Sequence, residues 1–139
     1  MVDRAIVDRL LGLLGEYVRD LESVRRLSFQ DYGSDVRTRR FAERTLQIAI
    51  EACLDLGHHI IADEGFREPR DNRDVFKVLA EQRIVDEVLL PDLMNMASFR
   101  NLIVHAYGTV DNTVVFGLIQ KKLDDFVKFS AMITRYLNR

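Results

Sequence analysis

The stretch that most limits how this chain can fold lies between residues 35 and 62. Ala42, Leu46, Ala49, Cys53, Leu56 and Ile60 recur at steps of three and four, the period of one face of an α-helix. Arg44, Gln47, Glu51, Asp55 and His58 repeat at the same period across from that seam. The polar row has two readings. It is a solvated face, or Glu51 or Asp55 meets a neighbouring helix and accepts a hydrogen bond from a buried cation. Gly57 interrupts the seam at a cost of about 1 kcal/mol relative to alanine, which marks it as a close-packing point.

The other segments follow the same period. Residues 2–27 predict a first helix with Ile6, Leu10, Leu13, Tyr17, Leu21 and Val24 inward. Ser28 to Gly33 reads as a connector with Gly33 as its turn residue, and Ser34 or Asp35 caps the second helix. Asp63 to Asn72 is a loop by composition. Asn72 caps a short helix through about Gln82, with Val75, Phe76 and Leu79 inward, and Ile84 to Leu90 is an irregular apolar connection. Pro91 suits the first turn of a fourth helix, which runs to about Tyr107 before Gly108. Asp111 caps a last helix to about Leu137, with Val115, Ile119, Phe126, Ile133 and Leu137 as its seam and Phe116, Leu123 and Val127 flanking it. Strand-type alternation and repeats are lacking. The expected fold is all-α, an antiparallel bundle of four long helices plus one short helix, in a single domain over 1–139.

At 139 residues a chain buries roughly two-thirds of its unfolded surface, enough for its own core. Charged residues interrupt the N-terminus, so no signal peptide is expected, and no apolar run approaches the ~20 residues that span a bilayer. The single cysteine, Cys53, excludes an internal disulfide and a multi-cysteine zinc site. The expectation is a cytoplasmic protein that engages no membrane. A net charge of −2 gives no global pull toward nucleic acid. DNA is not expected as a partner, but a local basic cleft remains open to RNA.

The fourth helix carries the anomaly. On a 100° wheel, Leu93, Ala97 and Val104 fall within ~40° of one another, and Arg100 sits in the middle of that arc. Met96 and Ile103 flank it, Tyr107 lies two turns further along the row, and Asn101 and His105 are neighbours on the next row. The remaining arc holds Phe99, Leu102 and Ala106, so the helix is apolar nearly all round and calls for burial on several sides, one route being a partner chain. A guanidinium cannot escape burial by losing its proton. Arg100 therefore pairs with a carboxylate, Glu51 or Asp55, or lines a cleft that an anion enters. His105 is a structural histidine, or a general acid or base whose ring Asn101 orients. Arginine plus histidine suffices to cleave RNA through its own 2′-hydroxyl, with no metal or cofactor. Arg100 and His105 point ~140° apart on a regular helix, so two copies of the chain would compose one cleft.

Elsewhere, the adjacent His58 and His59 point in different directions and make a poor metal pair. Cys53 sits on the core seam as inert packing. Arg37, Arg39 and Arg40 form a basic cluster that is a solvated helix end or a contact for RNA or an acidic partner.

The run Arg100-x4-His105-x-Tyr107, with Asn101 after the arginine, resembles the RX4HXY motif of the HEPN superfamily, and more closely the HepT-like toxins. The likeness extends to Leu46–Asp55 and to Met96–Asp111, and the helix order fits across nearly the whole chain. It implies a homodimeric, metal-independent ribonuclease toxin of a type VII-like toxin–antitoxin pair. Arg100 and His105 then match the catalytic residues at a cleft between protomers. The implied partner is a minimal nucleotidyltransferase antitoxin of the MntA type, which transfers AMP from ATP onto the motif tyrosine, here Tyr107. Two other readings stay open beside it. One is a non-catalytic helical binding subunit of a nucleotidyltransferase complex; the other is a dimeric bundle with Arg100 in a structural ion pair.

Overall fold

The structure is a computed structural model that describes residues 1–105 and 110–139. Among the described residues there are six helices: α1 (Arg4–Arg25), α2 (Phe29–Ser34), α3 (Val36–Glu64), α4 (Asn72–Glu81), α5 (Leu90–His105) and α6 (Asn112–Leu137). The bundle is all-α as expected, with two short helices where the sequence announces one. α3 is central and touches all five others. Its seam residues Ala42, Leu46, Ala49, Cys53, Leu56 and Ile60 are all buried. Each leucine or isoleucine there contributes about 1.5–3 kcal/mol relative to exposure. Asp35 caps the start of α3 by accepting from the Arg37 N–H. Gly65 ends it at φ 69, and the Phe66 N–H returns to the Ile61 carbonyl at 3.0 Å. That left-handed position suits glycine.

Several sequence expectations need correction. The connector at 28–33 is helical: Ser28 caps α2, accepting from the Asp31 N–H, and Gly33 lies inside the turn. Burial of Tyr32 drives this, with its ring 5.2 Å from Phe116, while Phe29 stacks edge-on to Phe116 at 5.3 Å. The buried line of α1 is Val7, Leu10, Leu14, Leu21 and Val24, with Ile6, Leu13 and Tyr17 half-buried beside it. The α4 cap is Asp71, not Asn72, because Asp71 takes the extended backbone and accepts from the Asp74 N–H at 2.8 Å. On α6, Leu123 and Phe129 join the buried seam while Val127 is exposed. The connection at 84–89 is irregular as read, burying Ile84, Val85 and Leu89 after a left-handed Arg83 at φ 60. Among the described residues no helix is long and apolar enough to cross a membrane.

Two features lock α4 in place. Gly57 of α3 faces it so closely that an added Cβ would lie 2.5 Å from Val75 Cγ1. In the preceding loop, Arg67 donates to both carboxylate oxygens of Asp74, at 2.7 and 2.9 Å, and to both of Glu81, each at 2.8 Å. Arg67 thus spans α4 from its first turn to its last. Its hydrogen bonds, followed by the Arg70 N–H, hold the Asp74 carboxyl well below the usual carboxylate range.

Candidate active site

α5 begins where Asp86 accepts the Leu89 N–H at 2.8 Å, with Pro91 in its first turn. Leu93, Met96, Ala97 and Phe99 are buried, which fixes the rotation of the helix against α3 and α4. That rotation sets Arg100 at the edge of the core with its side chain 26% exposed, facing a Glu51 that is 27% exposed. The Arg100 Nη2 donates to Glu51 Oε2 at 3.3 Å, and Nη1 donates to Asn101 Oδ1 at 3.2 Å. Gln47 Nε2 donates to the other Glu51 oxygen at 3.1 Å, and Asn72 Nδ2 donates to Asn101 Oδ1 at 3.2 Å. A chain of side-chain bonds therefore runs from α3 through α5 to α4.

Both readings of the polar row hold in part, since Arg44, Asp55 and His58 are exposed. Glu51 does meet the cation of a neighbouring helix. Asp55, one turn on, is exposed and lines the same cavity without an ion pair to Arg100. The pair is no sealed structural bridge, since both partners reach solvent and such bridges are worth little. A guanidinium carries five N–H donors. Among the described bonds Arg100 spends one on Glu51 and one on Asn101, and its buried Nε has no partner. The group is oriented and still able to donate. It opens onto a cavity of about 150 Å³ that Glu51, Leu54, Asp55, His58 and Asn72 also line.

Asn101 lies beside Arg100 as expected, and its described bonds orient the arginine; none runs to His105. His105 is the last described residue of α5 and is exposed. The sequence expects α5 to be buried on several sides, one route being a partner chain. In the single chain one side is buried, while Leu102 is 61% and Val104 38% exposed. Tyr107 and the expected helix end at Gly108 lie outside the described residues. Sequence reasoning missed two side chains. Asn72, read as a cap, holds Asn101 from 29 residues away, and no local pattern announces that. His58 is exposed, as read, and also stands on the cavity wall; its place in the row with Glu51 and Asp55 was the available signal.

Comparison with known proteins gives the same outline. The HepT-like family, described as Ribonuclease HepT-like, matches residues 14–133. A tRNA nuclease HepT of Aphanizomenon flos-aquae is 26% identical over 98% of this chain and 92% of its own length. An mRNA nuclease HepT of Shewanella oneidensis is 33% identical over 63% of this chain and 66% of its own. Among solved structures, the tri-AMPylated Shewanella oneidensis HEPN toxin in complex with MNT antitoxin superposes with a TM-score of 0.86. It is 24% identical, covering 97% of this chain and 99% of that one. The cytosolic protein YutE of Bacillus subtilis superposes at 0.88 with 23% identity, covering 99% and 92%. At such identities the structural likeness is one of fold.

Proposed function

Because the chain belongs to the HepT-like ribonuclease family, we propose that it is the toxin of a toxin–antitoxin pair, an endoribonuclease acting without a metal. The observation that carries this reading is Arg100. It is held by Glu51 and Asn101 at a cavity mouth, with Nη protons unspent among the described bonds, five residues before an exposed His105. The 2′-oxygen of the RNA attacks the adjacent phosphorus and the bond to the 5′-oxygen breaks. His105 takes the hydroxyl proton or delivers one to the leaving oxygen, and Arg100 neutralises the charge growing on the phosphoryl oxygens.

One protomer presents the two groups on different sides of α5. The cleft is therefore composite, with Leu102 and Val104 contributing to the surface that a second copy covers. The names of the relatives support RNA as the substrate. The AMPylated toxin–antitoxin complex supports a nucleotidyltransferase partner of the MntA type. In that reading the Tyr107 phenol gives its proton to solvent as its oxygen attacks the α-phosphorus of ATP, and pyrophosphate leaves. The AMP places bulk and negative charge beside Arg100, where an RNA phosphate would bind.

Induction of the wild type in cells should arrest growth and degrade RNA, and an Arg100→Ala/His105→Ala variant should do neither. Each single variant should lose on the order of a hundredfold or more in cleavage rate. Equal growth and intact RNA in both strains would sink the ribonuclease reading and leave a non-catalytic binding subunit. Co-expression with the partner should add AMP mass that Tyr107→Phe abolishes.

A further inference from the structure

The polar row of α3 changes sign along its length. Arg40 and Arg44 precede Gln47, Glu51, Asp55 and His58 at steps of three and four, so all six share one face. No carboxylate pairs with Arg40 or Arg44 among the described residues. Arg40 and its neighbour Arg39 wall a cavity of about 420 Å³, with Val36 and Ile103 as apolar walls and Glu43 beside them. Ile103 stands one turn beyond Arg100 on α5. The cavity therefore opens along the helix that carries the active site, toward the His105 end. Arg39 is anchored, since its Nη1 donates to the Gly33 carbonyl.

Two cations against one carboxylate leave the cavity positive in a chain whose total is negative. A guanidinium matches the geometry of a phosphate, and the aliphatic walls suit the face of a sugar or base. Arg40 lies eleven residues from Glu51, which is ~16 Å along the helix axis and farther than one internucleotide step. We propose that this cavity is a second RNA site. It holds a backbone phosphate away from the bond that is cut, and Arg44 lies on the path between the two. This rests on the ribonuclease reading and adds to it a place for the rest of the strand. Arg40 and Arg44 spaced one turn apart on one helix face, with Arg100 beyond them on α5, favour a strand of spaced phosphates over an acidic protein segment as the occupant.

The test measures binding of an oligoribonucleotide methylated at every 2′-oxygen, which cannot be cut, as a function of salt. Wild type, Arg40→Gln and Arg40→Lys are compared, alongside steady-state cleavage of the unmethylated strand. Loss of one single-strand phosphate contact lowers the slope of log affinity against log salt by about 0.7. Arg40→Gln should show that drop and a raised KM with kcat unchanged, and Arg40→Lys should keep the slope. Wild-type slope, affinity and KM in Arg40→Gln, with cleavage intact, overturn the second site and leave the ribonuclease reading standing. A wild type that neither binds nor cuts RNA overturns both. Unchanged RNA binding with weakened binding of the nucleotidyltransferase would make the cavity a protein contact and overturn the RNA assignment.

Discussion

Replacement of Gly57 by alanine sets two opposed effects against each other, and the geometry decides the sign. In an open helix, Gly57→Ala would stabilise by about 1 kcal/mol through backbone entropy. Here the new Cβ would lie 2.5 Å from Val75 Cγ1 and 3.3 Å from Leu79 Cδ1. Val75 is fully buried and β-branched, so it has no easy rotamer to retreat into. α4 itself must move, at an overpacking cost of about 1–3 kcal/mol. The net expectation is destabilisation by about 1 kcal/mol, a fall in Tm of about 3–5 °C. Because α4 carries Asn72, whose amide holds Asn101, RNA cleavage should fall as well. A double-mutant cycle with Val75→Ala isolates the clash: the pair should be more stable than the two single losses add up to, by about 1 kcal/mol or more. Thermal and urea melts read all four proteins. A Gly57→Ala protein as stable as wild type, or additive with Val75→Ala, would refute the close-packing argument.

Three further outcomes follow from buried groups. The Asp74 carboxyl is depressed by Arg67 and the Arg70 N–H, so its contribution is complete above the free aspartate value near ~4. It is lost as pH falls from there toward the folded-state value. Asp74→Asn should melt lower at neutral pH and converge with wild type in acid, and parallel curves would sink the idea. The Tyr32 hydroxyl is buried without a partner, and its pKa is pushed up to about 12, chiefly by burial. Tyr32→Phe should therefore leave stability unchanged or raise it by up to ~1 kcal/mol, and a clear loss in a urea melt would reveal a hydrogen bond. Burial also pushes the Cys53 thiol up, so a thiol reagent should label the protein only after unfolding; rapid labelling of the native state would contradict its place in the core.

Legibility followed the length of the signal. The α3 seam is a run of six residues at one period, and every member is buried where the sequence puts it. α2 was opaque because six residues with an internal glycine look like a turn. What makes them helical is Tyr32 finding Phe116 on α6, a contact no local pattern encodes. Between the adjacent caps Asp71 and Asn72, backbone conformation chose the former and freed the latter to reach α5. Arg100 with Glu51 was readable from the clash of a cation with an apolar arc. The tie from Asn72 was not, because it depends on how α4 docks.

That docking has a consequence for how the site opens. Ten residues are too few for a helix to persist alone in water, so α4 stands because of Arg67, Gly57 and the loop that returns from α3. It is the natural candidate for a separate cooperative unit, one whose amides exchange with deuterium through partial opening while α3 stays protected. Each such opening would break the Asn72 bond and let Asn101 turn away from the arginine. The order of Arg100 is thus borrowed from a helix too short to stand alone, and its readiness should rise and fall with the protection of α4.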